Sequence, residues 1–176
     1  MTRVELDPQT RLVGERLELR PVRHSDWSAL YAAASDREIW AQHPASDRYR
    51  EPVFREFFDE ALASGSAFVV IDRATGDIIG SSRYANHDIE KSEIEIGWTF
   101  LSRDYWGGEA NREMKRLMLE HAFRFVDTVV FWIGDSNLRS RRAIEKLGAS
   151  LRDDGIVRGG LPHVVYKLGK TDWSPD

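Results

Sequence analysis

Apolar and polar residues change their spacing several times along the chain, and each change marks an element. Within residues 15–22, Leu17, Leu19 and Pro21 recur with period two and predict a strand. Ser25 or Asp26 then caps a helix to about residue 35, with Trp27, Leu30, Tyr31 and Ala34 on one face. Residues 36–42 suggest a second short helix, and 43–47 a loop. Apolar residues 54, 57, 58, 61 and 62 follow the helical period over 52–62, and Gly65 ends that helix. Residues 67–72 and 78–86 flank the turn Thr75-Gly76-Asp77 as a hairpin. Residues 93–101 form a further strand, with Glu93, Glu95, Gly97 and Thr99 on one side and Ile94, Ile96, Trp98 and Phe100 on the other.

Gly107 and Gly108 precede a helix whose apolar stripe is Ala110, Met114, Leu117, Met118, His121, Ala122 and Phe125. Lys115, Arg116, Glu120 and Arg124 fall off that stripe. The apolar run 128–133 reads as a buried strand. Asn137 caps a helix to Leu147, with Gly148 as a left-handed stop. Residues 149–157 and 163–168 close the pattern as two strands turning at Gly159-Gly160. The order predicts an α/β fold, a mixed sheet with helices on its faces. Residues 1–13 and 171–176 read as tails, with Trp173 available to dock the second.

Length and composition narrow the class. A chain of 176 residues suits one domain with its own core. Zero cysteine removes disulfide scaffolds, thiolate metal sites and a cysteine nucleophile. A net charge of −4 argues against general nucleic-acid binding. No apolar run reaches membrane-spanning length and the N-terminus carries no signal-peptide pattern, so the expected location is cytoplasmic. No metal is expected, because no HExxH or similar spacing occurs.

Two stretches carry candidate chemistry. In the first, the strand ending at Leu101 feeds a glycine-bearing turn that opens a long helix. Free N–H groups and the positive dipole end suit a phosphate or pyrophosphate there. Glycines before a helix are more often plain turns, and neither GxGxxG nor a GK[ST] ending is present. In the second, Asn137 and Ser140 stand at a helix start after a buried strand, either as a capping pair or as an amide and hydroxyl offered to a ligand. Arg139, Arg141, Arg142 and Lys146 make that helix basic, ordinarily a solvated face.

Four stretches together resemble the GNAT family of N-acetyltransferases, in particular its Rim-type branch of ribosomal-protein N-terminal acetyltransferases. They are Arg16-Leu17-Glu18-Leu19-Arg20-Pro21, Glu95-Ile96-Gly97-Trp98, Tyr105-Trp106-Gly107-Gly108 through Ala122-Phe123, and Asn137-Leu138-Arg139-Ser140 through Glu145-Lys146-Leu147-Gly148-Ala149. The likeness spans roughly residues 14–173 and leaves 174–176 as a tail. It implies a single-domain, mostly antiparallel sheet splayed at its centre, with acetyl-CoA as co-substrate in the opening. Trp98, Thr99, Phe100 and Leu101 would pair with the pantetheine arm. Trp106, Gly107, Gly108, Glu109, Ala110 and Asn111 would hold the pyrophosphate, and Asn137 and Arg142 complete the cofactor set. Glu109 and Asn111 replace small residues of the family's loop. Glu109 either faces the phosphates or turns outward.

The resemblance also implies direct attack of an amine on the thioester. A free alkylamine with pKa about 10 is mostly protonated at neutral pH and needs a base. Glu95, or Glu93, directly or through water, is the candidate. Ser140 is the candidate proton donor to the departing sulfur. Trp40, His43, Tyr49, Tyr84 and His163 are candidates for the acceptor pocket. Asp36, Glu38, Asp88 and Glu90 would give it an acidic rim favouring cationic amines. The expected acceptor is a protein N-terminus or a small amine, with no nucleic acid and no membrane, and the protein acts as a monomer or homodimer. The alternative is a CoA or acyl-CoA sensor on the same fold without turnover.

Overall fold

The structure is a computed structural model that describes residues 5–175. Its strands are β1 (Leu12–Val13), β2 (Leu17–Pro21), β3 (Ala67–Asp72), β4 (Ile78–Asp88), β5 (Glu93–Leu101), β6 (Thr128–Gly134), β7 (Ser150–Arg158) and β8 (Leu161–Gly169). Its α-helices are α1 (Trp27–Ala34), α2 (Arg37–Trp40), α3 (Glu51–Ser64), α4 (Glu109–Ala122) and α5 (Leu138–Lys146). All strands form one sheet in the order β1-β2-β3-β4-β5-β6-β8-β7, antiparallel except for the β5–β6 pair. That exception opens the sheet. β5 and β6 pair only from Glu93–Thr128 to Glu95–Val130, and then part company.

The two sheet faces bury separate cores. Toward α4 lie Leu17, Leu19, Phe68, Tyr84, Ile94, Ile96, Met114, Met118 and Phe131. Toward α1–α3 lie Leu30, Trp40, Phe54, Phe57, Phe58, Val69 and Phe100. On α3, Phe54, Phe57, Phe58 and Ala61 face inward at the expected helical spacing. Burying an aromatic side chain of this kind contributes about 1.5–3 kcal/mol.

The alternation expected along β5 fails at one residue. Register shifts between Ser81–Phe100 and Arg83–Gly97, and Trp98 takes a positive φ of 52°. This β-bulge inserts one residue and exchanges the faces beyond it. Ile94 and Ile96 pack toward α4, whereas Trp98 and Phe100 pack toward α1–α3. Thr99 consequently turns to α4 rather than sharing a side with Glu95 and Gly97, and Leu101 rejoins the α4 core. Strict period two cannot foresee such an insertion.

Other departures have local causes. In the segment expected as a tail, Leu6 is buried, and Leu12 and Val13 pair with Leu19 and Glu18. The following turn is held by the Glu113 carboxylate, which accepts the N–H groups of Glu15, Arg16 and Leu17. Asp26 stands before α1 without capping it through its side chain. Its carboxylate instead accepts from the Arg20 guanidinium and the Arg23 N–H. Trp173 docks against Phe123, with ring centroids 5.6 Å apart and the planes tilted by 38°.

Candidate functional site

The parting of β5 and β6 leaves a cavity of about 840 Å³. Its walls are the diverging strand ends and the starts of α4 and α5. Ten expected site residues border it: Trp98, Thr99, Phe100, Leu101, Trp106, Gly107, Gly108, Asn111, Asn137 and Ser140. Glu95, Glu109, Ala110 and Arg142 are not among its lining residues. Arg142 is exposed on α5, and Ala110 lines a separate hollow with Glu15 and Tyr105.

The α4 end has the features of an anion seat. Gly108 precedes the helix and provides no side-chain cap, so the first N–H groups lack that partner. Gly107 takes φ 66°, which favours glycine, and a Cβ on either glycine would meet nothing within 4 Å. Glu109 turns outward and forms an exposed ion pair with Arg16 at 2.5 Å. Its negative charge is therefore directed away from the cavity. Arg112, Arg116 and Lys146 add positive charge to the lining.

Lys115 departs from its sequence assignment. The helical stripe left it outside, but it is buried and its Nζ donates to Thr99 Oγ1 at 3.1 Å beside the Phe131 ring. Burial lowers its ammonium from 10.5 to about 8. The missed signal was its position one helical turn beyond Asn111, on the same cavity-facing side.

At the α5 end, Asn137 Oδ1 accepts from the Ser140 N–H at 3.3 Å, forming the expected cap. The Ser140 hydroxyl makes no hydrogen bond among the described residues, and Ser140 lines the cavity. Arg139 lies 3.5 Å over the Trp106 ring, whose Nε1–H donates to the Leu101 carbonyl. This stack joins the starts of α4 and α5 at the end of β5. Gly134 admits the loop after α2, because a Cβ there would land on the Pro44 ring.

Glu95 is closed rather than presented. It is 1% exposed, and both oxygens accept from Arg158, at 2.6 and 2.7 Å. Oε2 also accepts from Asn86 Nδ2 at 2.7 Å. Glu93 is paired with Arg152 at 2.6 Å. Two histidines border the cavity instead. His43 Nδ1 accepts from the Ala45 N–H, and burial beside Arg48, His163 and Arg139 lowers its imidazole to about 3. It is neutral near pH 7, with Nε2 carrying the proton. His163 Nδ1 lies 2.8 Å from the Leu161 carbonyl, which sets that nitrogen as the donor and leaves Nε2 as an acceptor in the neutral ring. Among the other acceptor candidates, Trp40 and Tyr84 belong to the cores. Trp40 donates to the Ala34 carbonyl and Tyr84 to that of Met118. Among the described residues, no group of three or more histidine or acidic side chains is placed to hold a metal. No described helix is long and apolar enough to cross a membrane.

A family model described as acetyltransferase (GNAT) domain matches residues 16–150. The chain belongs to the GNAT acetyltransferase family. An uncharacterized Bacillus subtilis protein, YkkB, is 26% identical over 169 residues, 92% of this chain and 97% of that one. Among solved structures, a GCN5-related N-acetyltransferase from Brucella melitensis superposes with TM-score 0.79 at 22% identity, covering 98% of this chain and 82% of the other. A GNAT acetyltransferase from Bacillus anthracis gives 0.75 at 20%, covering 92% and 99%. A Vibrio cholerae protein described as a candidate ribosomal-protein-serine acetyltransferase gives 0.71 at 15%, covering 92% and 98%. These structures share the fold. GNAT enzymes generally use acetyl-CoA, and the cavity suits it. A bare helix start and cations stand at one end, with a serine hydroxyl along the channel.

Proposed function

We propose that the protein transfers an acetyl group from acetyl-CoA to a primary amine by direct attack. The observation that carries this reading is the cavity itself, which joins the uncapped α4 start to the bulge at Trp98. The N–H groups at the α4 start bind the pyrophosphate, helped by Arg112 and Arg116. Lys115 and Asn137 donate to the pantetheine arm. The bulge releases β5 backbone from the ladder, and its N–H groups take up the charge developing on the carbonyl oxygen.

The amine nitrogen bonds to the carbonyl carbon, the C–S bond breaks, and the sulfur leaves as a thiolate. His163 Nε2 removes the amine proton, because His163 borders the cavity and its Nδ1 contact leaves Nε2 as the acceptor. Ser140 relays a proton from water to the sulfur, and the hydroxide so formed takes the proton held by His163, which restores both residues. Glu95 acts at one remove. Its bidentate pair holds Arg158 against the Trp98 and Trp132 rings, 5.2 and 4.3 Å away, and thereby shapes the wall where the amine arrives.

Calorimetric titration with acetyl-CoA, followed by thiol release over amines and peptides, tests the reading. Micromolar binding with turnover is expected, and absence of binding would overturn it. Ser140→Ala lowers kcat about tenfold or more, with acetyl-CoA affinity retained. His163→Gln lowers kcat about tenfold or more and flattens the acidic limb of the pH profile. A flattened limb in Glu95→Gln with an unchanged limb in His163→Gln would return the base to Glu95.

A further inference from the structure

The acceptor side of the bulge is cationic, contrary to the acidic rim expected from Asp36, Glu38, Asp88 and Glu90. Asp36 is taken up by Arg103, and Asp88 pairs with Lys91. Inside, three guanidinium groups lie against aromatic rings. Arg83 lies 4.5 Å from the Trp98 ring and 5.7 Å from Phe57. Arg48 lies 4.8 Å from Phe57 and 5.3 Å from Trp40, and Arg158 shares the Trp98 ring. Arg158 is neutralised by Glu95. The Glu60 carboxylate favours the charge of both Arg48 and Arg83, but it makes no ion pair or hydrogen bond with either among the described residues.

Arg83 is 6% exposed, and its Nε and Nη2 have no hydrogen-bond partner. Ring stacking engages the flat face of a guanidinium. The N–H groups lie in its plane, so the rings leave them unsatisfied. Nε and Nη2 form one edge of the fork, and that edge matches the two oxygens of a carboxylate. Burial lowers this guanidinium only to about 10, which keeps it charged at neutral pH. A buried, charged and unpaired donor edge is costly unless a ligand completes it.

Arg83 stands opposite Gly97 in the β4–β5 ladder, beside the bulge that borders the cavity. The CoA phosphates are drawn elsewhere, to the α4 start. We propose that Arg83 binds the carboxylate of the acceptor, so that the substrate is a small amino acid whose amine is held against the bulge. This rests on the acetyl-transfer reading and names its substrate class. Both nitrogens are closed to water in this conformation, so a neighbouring side chain swings aside as the acid binds.

The test uses the twenty amino acids, the amide of each, and an aminoalkylphosphonate. Each is titrated calorimetrically into the full chain saturated with CoA and then assayed for thiol release with acetyl-CoA. At least one acid is expected to bind about tenfold or more tightly than its amide and its phosphonate. In Arg83→Gln that preference disappears through KM, with kcat largely retained, and Arg83→Lys restores part of it. The acid raises the melting temperature of the unmodified protein but not of Arg83→Met. Equal binding of acid and amide, tighter binding of the phosphonate, or binding of no acid overturns the proposal. Acid-selective binding without turnover on any acceptor supports this assignment and overturns acetyl transfer instead.

Discussion

The two sides of β5 both bury a cation, and they treat it differently. On the α4 side, Lys115 has a hydroxyl partner in Thr99 and borders the open cavity. On the α1–α3 side, Arg83 is held by rings and lacks partners for two nitrogens. The Trp98 bulge makes this division, since it turns Thr99 to one face and Trp98 to the other. One inserted residue thus gives adjoining sides of a strand separate chemistry. Two buried charges of the same sign need not share a role. A cation with a neutral partner beside an open channel suits contact with a polar arm, whereas an unpaired planar edge calls for an anion.

Removing the ring beneath the arginines has the largest expected effect. Phe57→Ala is expected to cost about 3–5 kcal/mol in denaturant unfolding. Acetyl-CoA binding per folded molecule is expected to change little, because Phe57 lies on the other face. An equal loss of acetyl-CoA affinity would mean that the two sides are not separate.

Lys115→Met sharpens the other side. It is expected to weaken acetyl-CoA binding about tenfold while raising the melting temperature, since an ammonium disfavoured by burial is removed. The pH dependence has a definite sign. The folded value, about 8, lies below the ordinary 10.5, so the unfolded chain holds the proton more tightly. At pH 7 both states are protonated and the full penalty is present. Stability therefore rises with pH between about 8 and 10.5, and this rise is absent in Lys115→Met. Denaturant unfolding at several pH values in that window, unmodified protein against variant, measures it.

The smallest effect is expected at Glu109. Its pair with Arg16 is exposed, so Glu109→Gln should change stability by less than about 1 kcal/mol. Acetyl-CoA affinity should stay within about threefold, as the carboxylate already points away from the seat. A large gain in affinity would show that Glu109 returns to the phosphates in solution.

Several parts of the site were legible along the chain because their causes are local. The glycine turn before α4, the Asn137 cap and the bounds of β5 each follow from a few neighbouring residues. Lys115 was readable in principle, being one turn from Asn111, but a stripe drawn on hydrophobicity excludes a charged residue. Glu95 was recognisable as a candidate. Its engagement was not, because Arg158 lies 63 residues further on.

Most of the elements, their order and the family were written in the chain, since periodicity, capping and motif spacing act over short stretches; β1 was not, because two residues carry no period. Which side of β5 each residue serves was set by the assembled sheet. A single bulge reverses side-chain parity, and hydrophobic alternation carries no mark of it. The sheet also decided the electrostatic state of the site. Whether Glu95 is open and whether Arg83 is paired depend on neighbours that the chain brings together only when the sheet closes.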